Sequence, residues 1–423
     1  MTFDERIFSD KPETFTELFD AEWVTDRTLG ERTVDRAVVL PLRNNSAYPK
    51  QRNAYLGGVC DENFTFIAGG AVNRGRFSCS DSYAVPREDV EYRDETVVFG
   101  GIFHLHFGVM LLLSLTRFWY FTEHPDMPHR VVFIAERSET GSADKYCSDL
   151  AELIGIPEER CTVITKPTQF ARVIIPDEAL AETDGGLNRR FLQPFKYIAD
   201  RVIAEDGRAD KKRLYLSRTR FAKAGCLSDG VNEEYYERFF EKRGYTVIHP
   251  QELPLREQIR LIASADEIVS TYGTLAHLVS LFAADGTRQI MLLRTPSADP
   301  WFIFEAAILK MTKLDWYLVE ATKNPYPTLH DDGAFIYYPT AQFKRFLQTM
   351  KLPYDESELA ATITDEQMKR YVMRWLTVYS SPFRFKLLND PSLFPLLQAL
   401  FYSVTKKRLP AEYYIETDGE DET

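Results

Sequence analysis

The sequence predicts an α/β fold in which parallel β-strands alternate with helices. Two observations support this prediction. Between Arg213 and Arg294, four short β-rich runs alternate with three amphipathic helical runs, and a second alternating series lies between residues 130 and 203. Such alternation is typical of βαβ units, which form parallel sheets covered by helices. Because the polar stretch 204–213 separates the two series, we expect two Rossmann-like lobes.

The helical runs of the Arg213–Arg294 series can be recognised from their apolar periodicity. Apolar residues recur every three or four positions, as at Leu255 and Ile259, which places them on one face of a helix. Gly244 and Gly286 follow the first and third runs, as helix-terminating glycines do. Asn232 precedes the first run and is a suitable N-cap.

The remaining elements follow from local composition. We expect strands at 37–42, 64–70, 96–101, 130–136, 161–165 and 171–177, and helices near 105–121, 145–153 and 188–203. Residues 1–34 are polar and predict an irregular arm. The chain then divides into an N-terminal α/β lobe over 35–205, a C-terminal Rossmann-like lobe over 206–330, a helical extension over 331–415 and an acidic tail over 416–423. Within the extension we expect helices at 342–350, 365–378 and 391–405.

Composition excludes several classes of protein. The chain has 423 residues, of which 44% are hydrophobic and 27% charged, and it has a net charge of −12. This acidic balance argues against non-specific nucleic-acid binding. The five cysteines form no CxxC pair, so we expect neither a zinc site nor a disulfide framework. We therefore expect the protein to occur in a reducing compartment. We expect a cytoplasmic protein, or one attached peripherally to the inner face of the membrane.

The apolar segment 101–121 has about the length of a membrane span. It also contains His104, His106 and Arg117, and such side chains are costly inside a bilayer. We therefore expect a buried core helix here instead of a transmembrane helix.

Polar groups follow two strands of the predicted C-terminal lobe. Ser217 and Arg218 follow the first strand, and the stretch Ser270–Thr274 follows the third. Ligands of open α/β sheets bind at the carboxyl ends of the strands. A helix that starts after a glycine-containing turn offers backbone N–H groups and a dipole to a phosphate. The sequence therefore predicts an anion site at this edge, near a basic cluster that also includes Arg213, Arg220 and Lys223.

Several of these residues occur in an order that resembles the bacterial branch of glycosyltransferase family 61. The matching positions are Ser217-Arg218 after a strand, Asn232-Glu233 at a helix start, Gln258-Ile259 before the next strand, and Gly273 in the following turn. Residues 104–121 resemble an upstream helix of the family.

The resemblance implies a GT-B architecture of two lobes facing a cleft. It also implies inverting, metal-independent transfer of a sugar from a nucleotide-activated donor to a hydroxyl of an oligo- or polysaccharide. In a bacterium, the product would be a capsular or other surface polysaccharide. No cofactor is expected.

The same resemblance, together with the strand-end rule, gives a set of candidate residues. The donor-binding candidates are Ser217, Arg218, Arg220, Asn232, Glu233, Ser270, Thr271, Tyr272, Gly273, Thr274 and His277. Purely structural roles are the alternatives: Arg218 could form a surface ion pair, and Asn232 and Glu233 could cap a helix without contacting a ligand. Val109 stands where the family usually has histidine, so His106, or else His104, is the expected catalytic base.

Two other functions stay open on sequence grounds. One is a different GT-B-like transferase, such as a ketal pyruvyltransferase of surface polysaccharides. The other is a catalytically silent protein that binds nucleotides or glycans, because Val109 and Tyr272 replace histidines usual in the family. Asp331-Asp332 lacks the spacer of a DxD metal motif and is interpreted as part of a turn.

Overall fold

A computed structural model describes residues 4–44, 54–70, 73–74, 77–79, 81–103, 107–135, 145–181, 186–221, 230–328, 333–379 and 393–405. Its two main sheets are packed with helices, so the α/β prediction is confirmed. The strands, in chain order, are β1 Ile7–Phe8, β2 Val24–Thr25, β3 Glu31–Asp35, β4 Val38–Asn44, β5 Ala54–Cys60, β6 Asn73–Arg74, β7 Phe77–Cys79, β8 Glu91–Phe103, β9 Arg130–Ala135, β10 Cys161–Val163, β11 Thr168–Pro176, β12 Leu180–Ala181, β13 Gly186–Asn188, β14 Arg213–Leu216, β15 Gly230–Val231, β16 Thr246–Ile248, β17 Glu267–Thr271, β18 Arg288–Leu293, β19 Asp315–Glu320 and β20 Phe335–Ile336.

The helices cover both sheets and form most of the C-terminal part. They are α1 Glu13–Asp20, α2 Phe107–Val109, α3 Trp119–Glu123, α4 Lys145–Leu153, α5 Gln193–Asp206, α6 Glu234–Glu241, α7 Leu255–Ser264, α8 Thr274–Phe282, α9 Phe302–Met311, α10 Ala341–Thr349, α11 Glu356–Leu359, α12 Asp365–Tyr379 and α13 Phe394–Thr405.

The first sheet has six strands in the order β1-β19-β18-β17-β14-β16, and every neighbouring pair is parallel. Its central strands are buried almost throughout, as expected where helices cover both faces. The strands run in one direction, so all their carboxyl ends lie at one edge. This edge positions the candidate site.

The second sheet has nine strands, in the order β10-β9-β8-β11-β4-β5-β7-β6, with β3 also paired to β11. Strands β8 to β11 are mutually parallel where they pair, whereas β3 and β4 run antiparallel to β11. One apolar cluster contains Val98 and Phe133 from this sheet, Leu214 and Ile268 from the first sheet, and Phe195 from α5 between them. The two sheets therefore share a continuous core.

The expected irregular arm at residues 1–34 is wrong for its described part. Ile7–Phe8 form the edge strand of the parallel sheet, and α1 packs on α9, where the rings of Phe15 and Phe302 lie 5.0 Å apart. Buried apolar residues in this otherwise polar segment explain the difference, because Phe8, Phe15 and Phe19 are each about 1% exposed.

The expected strand at 64–70 is also wrong. The Asp61 carboxylate accepts hydrogen bonds from the backbone N–H groups of Asn63 and Thr65, which bends the chain into a turn. Phe64 has a φ of 66°, and only a single bridge between Cys60 and Phe66 remains of the expected pairing.

The predicted helix at 105–121 is helical but interrupted. Its described part consists of α2, a π-helical turn at Met110–Ser114 and α3. The interruption adjoins the buried Arg117, whose guanidinium donates hydrogen bonds to the carbonyl oxygens of Pro176 and Gly69. The segment is buried, as expected. Within the described residues, no helix combines the length and apolar character that a membrane crossing requires.

Most other elements agree with the sequence to within a few residues. The predicted linker 204–213 begins inside α5, and Arg256 binds Glu205 and Asp206, which fixes the linker to α7. Gly244 follows α6 with φ 82°, but Gly286 lies four residues past α8 and does not cap it. The helices of the C-terminal extension are found as α10, α12 and α13, while the acidic tail at 416–423 lies outside the described residues. The domain boundaries stay predictions.

Candidate functional site

Three neighbouring strands of the parallel sheet end in polar or glycine-containing loops. Strand β14 leads into Ser217 and Arg218, β17 into Tyr272 and Gly273, and β18 into Arg294. These strands are adjacent in the order β18-β17-β14, so the three loops lie side by side at the carboxyl edge. Arg294 was not among the residues predicted from the sequence, although the rule that selected Arg218 also applies to it.

The turn before α8 requires glycine. Gly273 has φ 116° and ψ −146°, a conformation that is open essentially only to glycine. A Cβ at this position would lie 3.1 Å from Nη2 of Arg294, so the turn also leaves room for that guanidinium. Gly273 is the N-cap of α8 and has no side chain to cap its first turn. The positive end of the helix dipole and the Arg294 charge therefore lie together.

The backbone N–H of Arg218 is hydrogen-bonded to the side chain of Glu233. The N–H of Arg218 donates to Oε1 of Glu233 at 3.0 Å, and the Tyr215 hydroxyl lies 3.5 Å from the same oxygen. Burial raises the pKa of the Glu233 carboxyl to about 7, and the nearby Glu237 adds to the rise. The hydrogen bond from Arg218 and the charges of Arg218 and Arg294 act in the opposite direction. Glu233 is thus a buried carboxyl close to the charges of two arginines.

Tyr337 adds a buried phenol from outside the family-like motifs. It follows β20, and its N–H donates to the carbonyl of Val231 at 2.9 Å. Burial raises the pKa of its hydroxyl, and so does the Glu233 charge. The charges of Arg294 and Arg218 lower it. The phenol therefore lies among the ends of β14, β17 and β18.

Other predicted donor-binding residues have partners inside the protein. Ser217 is buried and its hydroxyl donates to Oε1 of Glu237, which also accepts from Thr219 at 2.6 Å. Arg220 is exposed and binds Glu252 at 2.9 Å. His249 follows β16 and lies near Arg220. Burial lowers the pKa of its imidazole, and so does the charge of Arg220.

Asn232 does not act as the predicted N-cap. Its φ is 69°, and Glu233 occupies the N-cap position instead. The Asn232 side chain donates to the carbonyl of Tyr337 at 3.0 Å and accepts from Gln367 at 2.8 Å. Asparagine tolerates the left-handed conformation, and here its amide connects the start of α6 to the C-terminal helices. Although Glu233 holds the N-cap position, its side chain does not cap the helix, because it accepts a hydrogen bond from the backbone N–H of Arg218 instead.

The side chains of the β17 turn differ in exposure. Ser270 and Thr271 are fully buried in the strand, and Oγ of Ser270 has no hydrogen-bond partner among the described residues. Tyr272 is 8% exposed and packs on Phe302, with ring centroids 5.5 Å apart. Thr274 is half-buried at the first position of α8.

His277 lies one turn into α8 and has a carboxylate partner. Its Nδ1 is 2.5 Å from Oε2 of Glu305 on α9, and Ser280 donates to the other oxygen of that carboxylate. Glu305 has no exposed surface. Nothing in the sequence near Glu305 indicated this contact, because it joins residues 28 positions apart on different helices.

The predicted catalytic residues His104 and His106 lie outside the described residues, between the end of β8 and the start of α2. Asp331 and Asp332 also lie outside them. Within the described part of the chain, no group of three or more His, Cys, Asp or Glu side chains is arranged to hold a metal ion.

A cavity of about 610 Å³ opens elsewhere in the molecule. It is lined by α5, by the ends of α8 and α9 and by the segments that lead into the strands, so it lies at the amino edge of the parallel sheet. The strand-end arginines do not line it. We therefore place the candidate site at the carboxyl edge, where strand ends, charge and the α8 terminus meet.

Comparison with known proteins agrees with the resemblance seen in the sequence. The family model described as Glycosyltransferase 61 matches residues 102–290, a stretch that includes Arg218, Glu233 and Gly273. A comparison with curated proteins finds none that matches the chain. A glycosyltransferase acts on a sugar donor and a glycan acceptor, and the match favours sugar transfer over the pyruvate-transfer and silent alternatives. Residues 102–290 therefore match a glycosyltransferase family 61 domain, and this match supports a glycosyltransferase.

Proposed function

We propose that the protein is an inverting glycosyltransferase of GT-B architecture. It would transfer a sugar from a nucleotide-activated donor to a hydroxyl of a surface or capsular polysaccharide. The observation that supports this proposal is the grouping of Arg218, Gly273 and Arg294 at adjacent strand ends. The α/β fold, with one parallel sheet and a second, mixed sheet, is compatible with the two-lobe arrangement.

The donor diphosphate would bind between Arg218 and the start of α8. The leaving group of a nucleotide sugar gains negative charge as the bond to the anomeric carbon breaks, so fixed positive groups stabilise the transition state. Guanidinium groups match phosphate oxygens in geometry and charge. The first turn of α8 adds its dipole and N–H groups.

We further propose that catalysis needs no divalent cation, because the two arginines and the helix terminus supply positive charge at the diphosphate. An assay of donor turnover in excess EDTA tests this. Turnover should persist at the rate found without EDTA. Loss of turnover that manganese or magnesium restores would contradict the proposal.

The catalytic base is proposed to be His106, with His104 as the second candidate. An imidazole ordinarily titrates near a pKa of about 6.5 and is suited to proton transfer at neutral pH. Replacing the base by glutamine should reduce turnover roughly 10²–10⁴-fold while nucleotide affinity stays unchanged. Near-normal turnover in both His106→Gln and His104→Gln would place the base elsewhere.

A binding and turnover series tests the function as a whole. Thermal unfolding would be measured with uridine, guanosine and cytidine diphosphates and with phosphoenolpyruvate. A ligand at 100 times its Kd stabilises the folded state by about 2.7 kcal/mol, which is readily measured. We expect one nucleoside diphosphate to stabilise the protein and the matching nucleotide sugar to be slowly hydrolysed. Phosphate release from phosphoenolpyruvate, or nucleotide binding without any turnover, would contradict the proposal.

A further inference from the structure

The carboxyl group of Glu305 is fully buried between α8 and α9. One oxygen lies 2.5 Å from Nδ1 of His277 and the other accepts a hydrogen bond from Ser280. A buried carboxylate is costly unless it is paired and hydrogen-bonded. Among the described residues, His277 is the ionisable side chain within ion-pair distance of it. An ionised Glu305 can only accept, and in that state Nδ1 of His277 carries the shared hydrogen.

The position of His277 directs this pair toward the candidate site. The side chain of a helical residue leans toward the helix N-terminus, which for α8 is the Gly273 turn. The ring stands edge-on to Tyr272, with centroids 6.1 Å apart. The His277 side chain keeps 9% of its surface exposed, whereas Glu305 keeps none. With Nδ1 held by Glu305, Nε2 is the ring nitrogen that points away from that carboxylate.

We propose that Glu305 is a positioning residue that holds His277 as the imidazolium, with Nδ1–H on the carboxylate, so that Nε2–H faces the donor diphosphate and donates a hydrogen bond to it. This inference rests on the proposed donor site. During transfer, the bond from the anomeric carbon to the phosphate oxygen breaks and its electron pair stays on the diphosphate. The acceptor oxygen forms the new bond and loses its proton to a base elsewhere. His277 would stabilise the charge that develops on the leaving oxygen.

The tautomer can be measured independently of activity. The full-length chain would be labelled with ¹⁵N-histidine, and the His277→Gln variant identifies the His277 signals among those of the seven histidines. We expect Nδ1 of His277 to be protonated in the wild-type protein. A nucleoside diphosphate that binds by calorimetry should shift Nε2. In Glu305→Gln the protonation pattern of the ring should change.

Kinetics then separate positioning from stability. Glu305→Gln keeps the size of the side chain but removes its negative charge. This variant should have a kcat for donor hydrolysis about 10- to 100-fold lower, with little change in KM. Ser280→Ala removes the other hydrogen bond to the same carboxylate and leaves the His277 contact intact. It should lower the midpoint of thermal unfolding yet keep kcat close to that of the wild-type protein.

Several results would overturn the inference. One is a His277 ring with Nδ1 unprotonated in the wild-type protein. Another is a bound nucleoside diphosphate that leaves Nε2 unshifted. A third is an equal loss of kcat in Ser280→Ala and Glu305→Gln, which would make the role of Glu305 purely structural. Failure of every nucleoside diphosphate to bind is a different result, and it would contradict the donor site itself.

Discussion

Arg218 connects the backbone of the β14 loop to the buried Glu233 and places a positive charge at the carboxyl edge. Replacing Arg218 by alanine should weaken nucleotide binding by about 1.5–3 kcal/mol, the range for a hydrogen bond to a charged group. Calorimetric titration measures this change. Arg238→Ala is the matched control, because Arg238 is exposed on α6 and its loss changes the net charge equally. Unchanged affinity in Arg218→Ala would contradict the proposed phosphate site.

Glu233 should make stability depend on pH. Its pKa is raised to about 7 in the folded protein, so between about pH 4.5 and 7 the folded state binds more protons than the unfolded state. The contribution of Glu233 to the free energy of unfolding is therefore present at low pH and is lost as pH rises through this window. The difference between Glu233→Gln and wild type should change by about 2–3 kcal/mol between pH 5 and pH 8.

Urea unfolding at the two pH values measures this difference. Glu241→Gln is the control, since Glu241 is exposed at the end of the same helix. We expect the control to follow the wild-type protein at both pH values. A Glu233→Gln variant that also follows it would show that the carboxyl does not titrate in this window.

Sequence reasoning reached some residues of the site and missed others for identifiable reasons. Arg218 and Gly273 were found because each follows a recognisable strand directly. Arg294 follows a strand in the same way, so the signal was available. Tyr337 and Glu305 could not be found, because their contacts come from later elements and no local pattern shows which strand ends those elements meet.

The turn between β17 and α8 depends on a single backbone conformation. Gly273→Ala places a Cβ 3.1 Å from the Arg294 guanidinium at φ 116°, so either the turn or Arg294 must shift. We expect a loss of about 1–3 kcal/mol in the free energy of unfolding. Nucleotide affinity should fall about tenfold or more, because one charged contact is displaced.

Gly207→Ala provides the comparison for this element. Gly207 also has a positive φ, 74°, but a Cβ there meets nothing within 4 Å. This variant should lose stability through backbone strain alone and keep its nucleotide affinity. Equal affinities in both glycine variants would show that the turn does not contribute to donor binding.

Regular hydrophobic periodicity made most helices and strands predictable from the sequence. Where local side-chain interactions change the backbone, the predictions were wrong. Helices α6, α7 and α8 were found because apolar residues recur every three or four positions in each. The strand expected at 64–70 was wrong because the Asp61 carboxylate binds backbone N–H groups and imposes a turn. The helix expected at 105–121 is interrupted next to the buried Arg117. Neither effect changes hydrophobic periodicity, so a periodicity argument cannot detect it.

At the scale of the molecule, the N-terminal segment is an integral part of the parallel sheet. Phe8 is 1% exposed and its ring lies 5.3 Å from that of Phe346. Phe8→Ala should lower the free energy of unfolding by about 3–5 kcal/mol, the usual cost of removing a buried phenylalanine side chain. Thermal and urea unfolding measure this. Tyr92→Ala, at a 56% exposed aromatic residue, is the control and should change stability little. A small effect at Phe8 would mean that β1 is not packed as described.

The pairing of β1 with β19 also constrains the order in which the chain can fold during translation. Ile7 pairs with Leu318, so its partner is made only after some 300 further residues, roughly 15–60 s later at ~5–20 residues per second. During this interval Ile7 and Phe8 have no strand to join. The sheet that bears Arg218 and Arg294 is therefore completed late in synthesis, and a nascent chain that stops before Glu320 leaves its first strand unpaired.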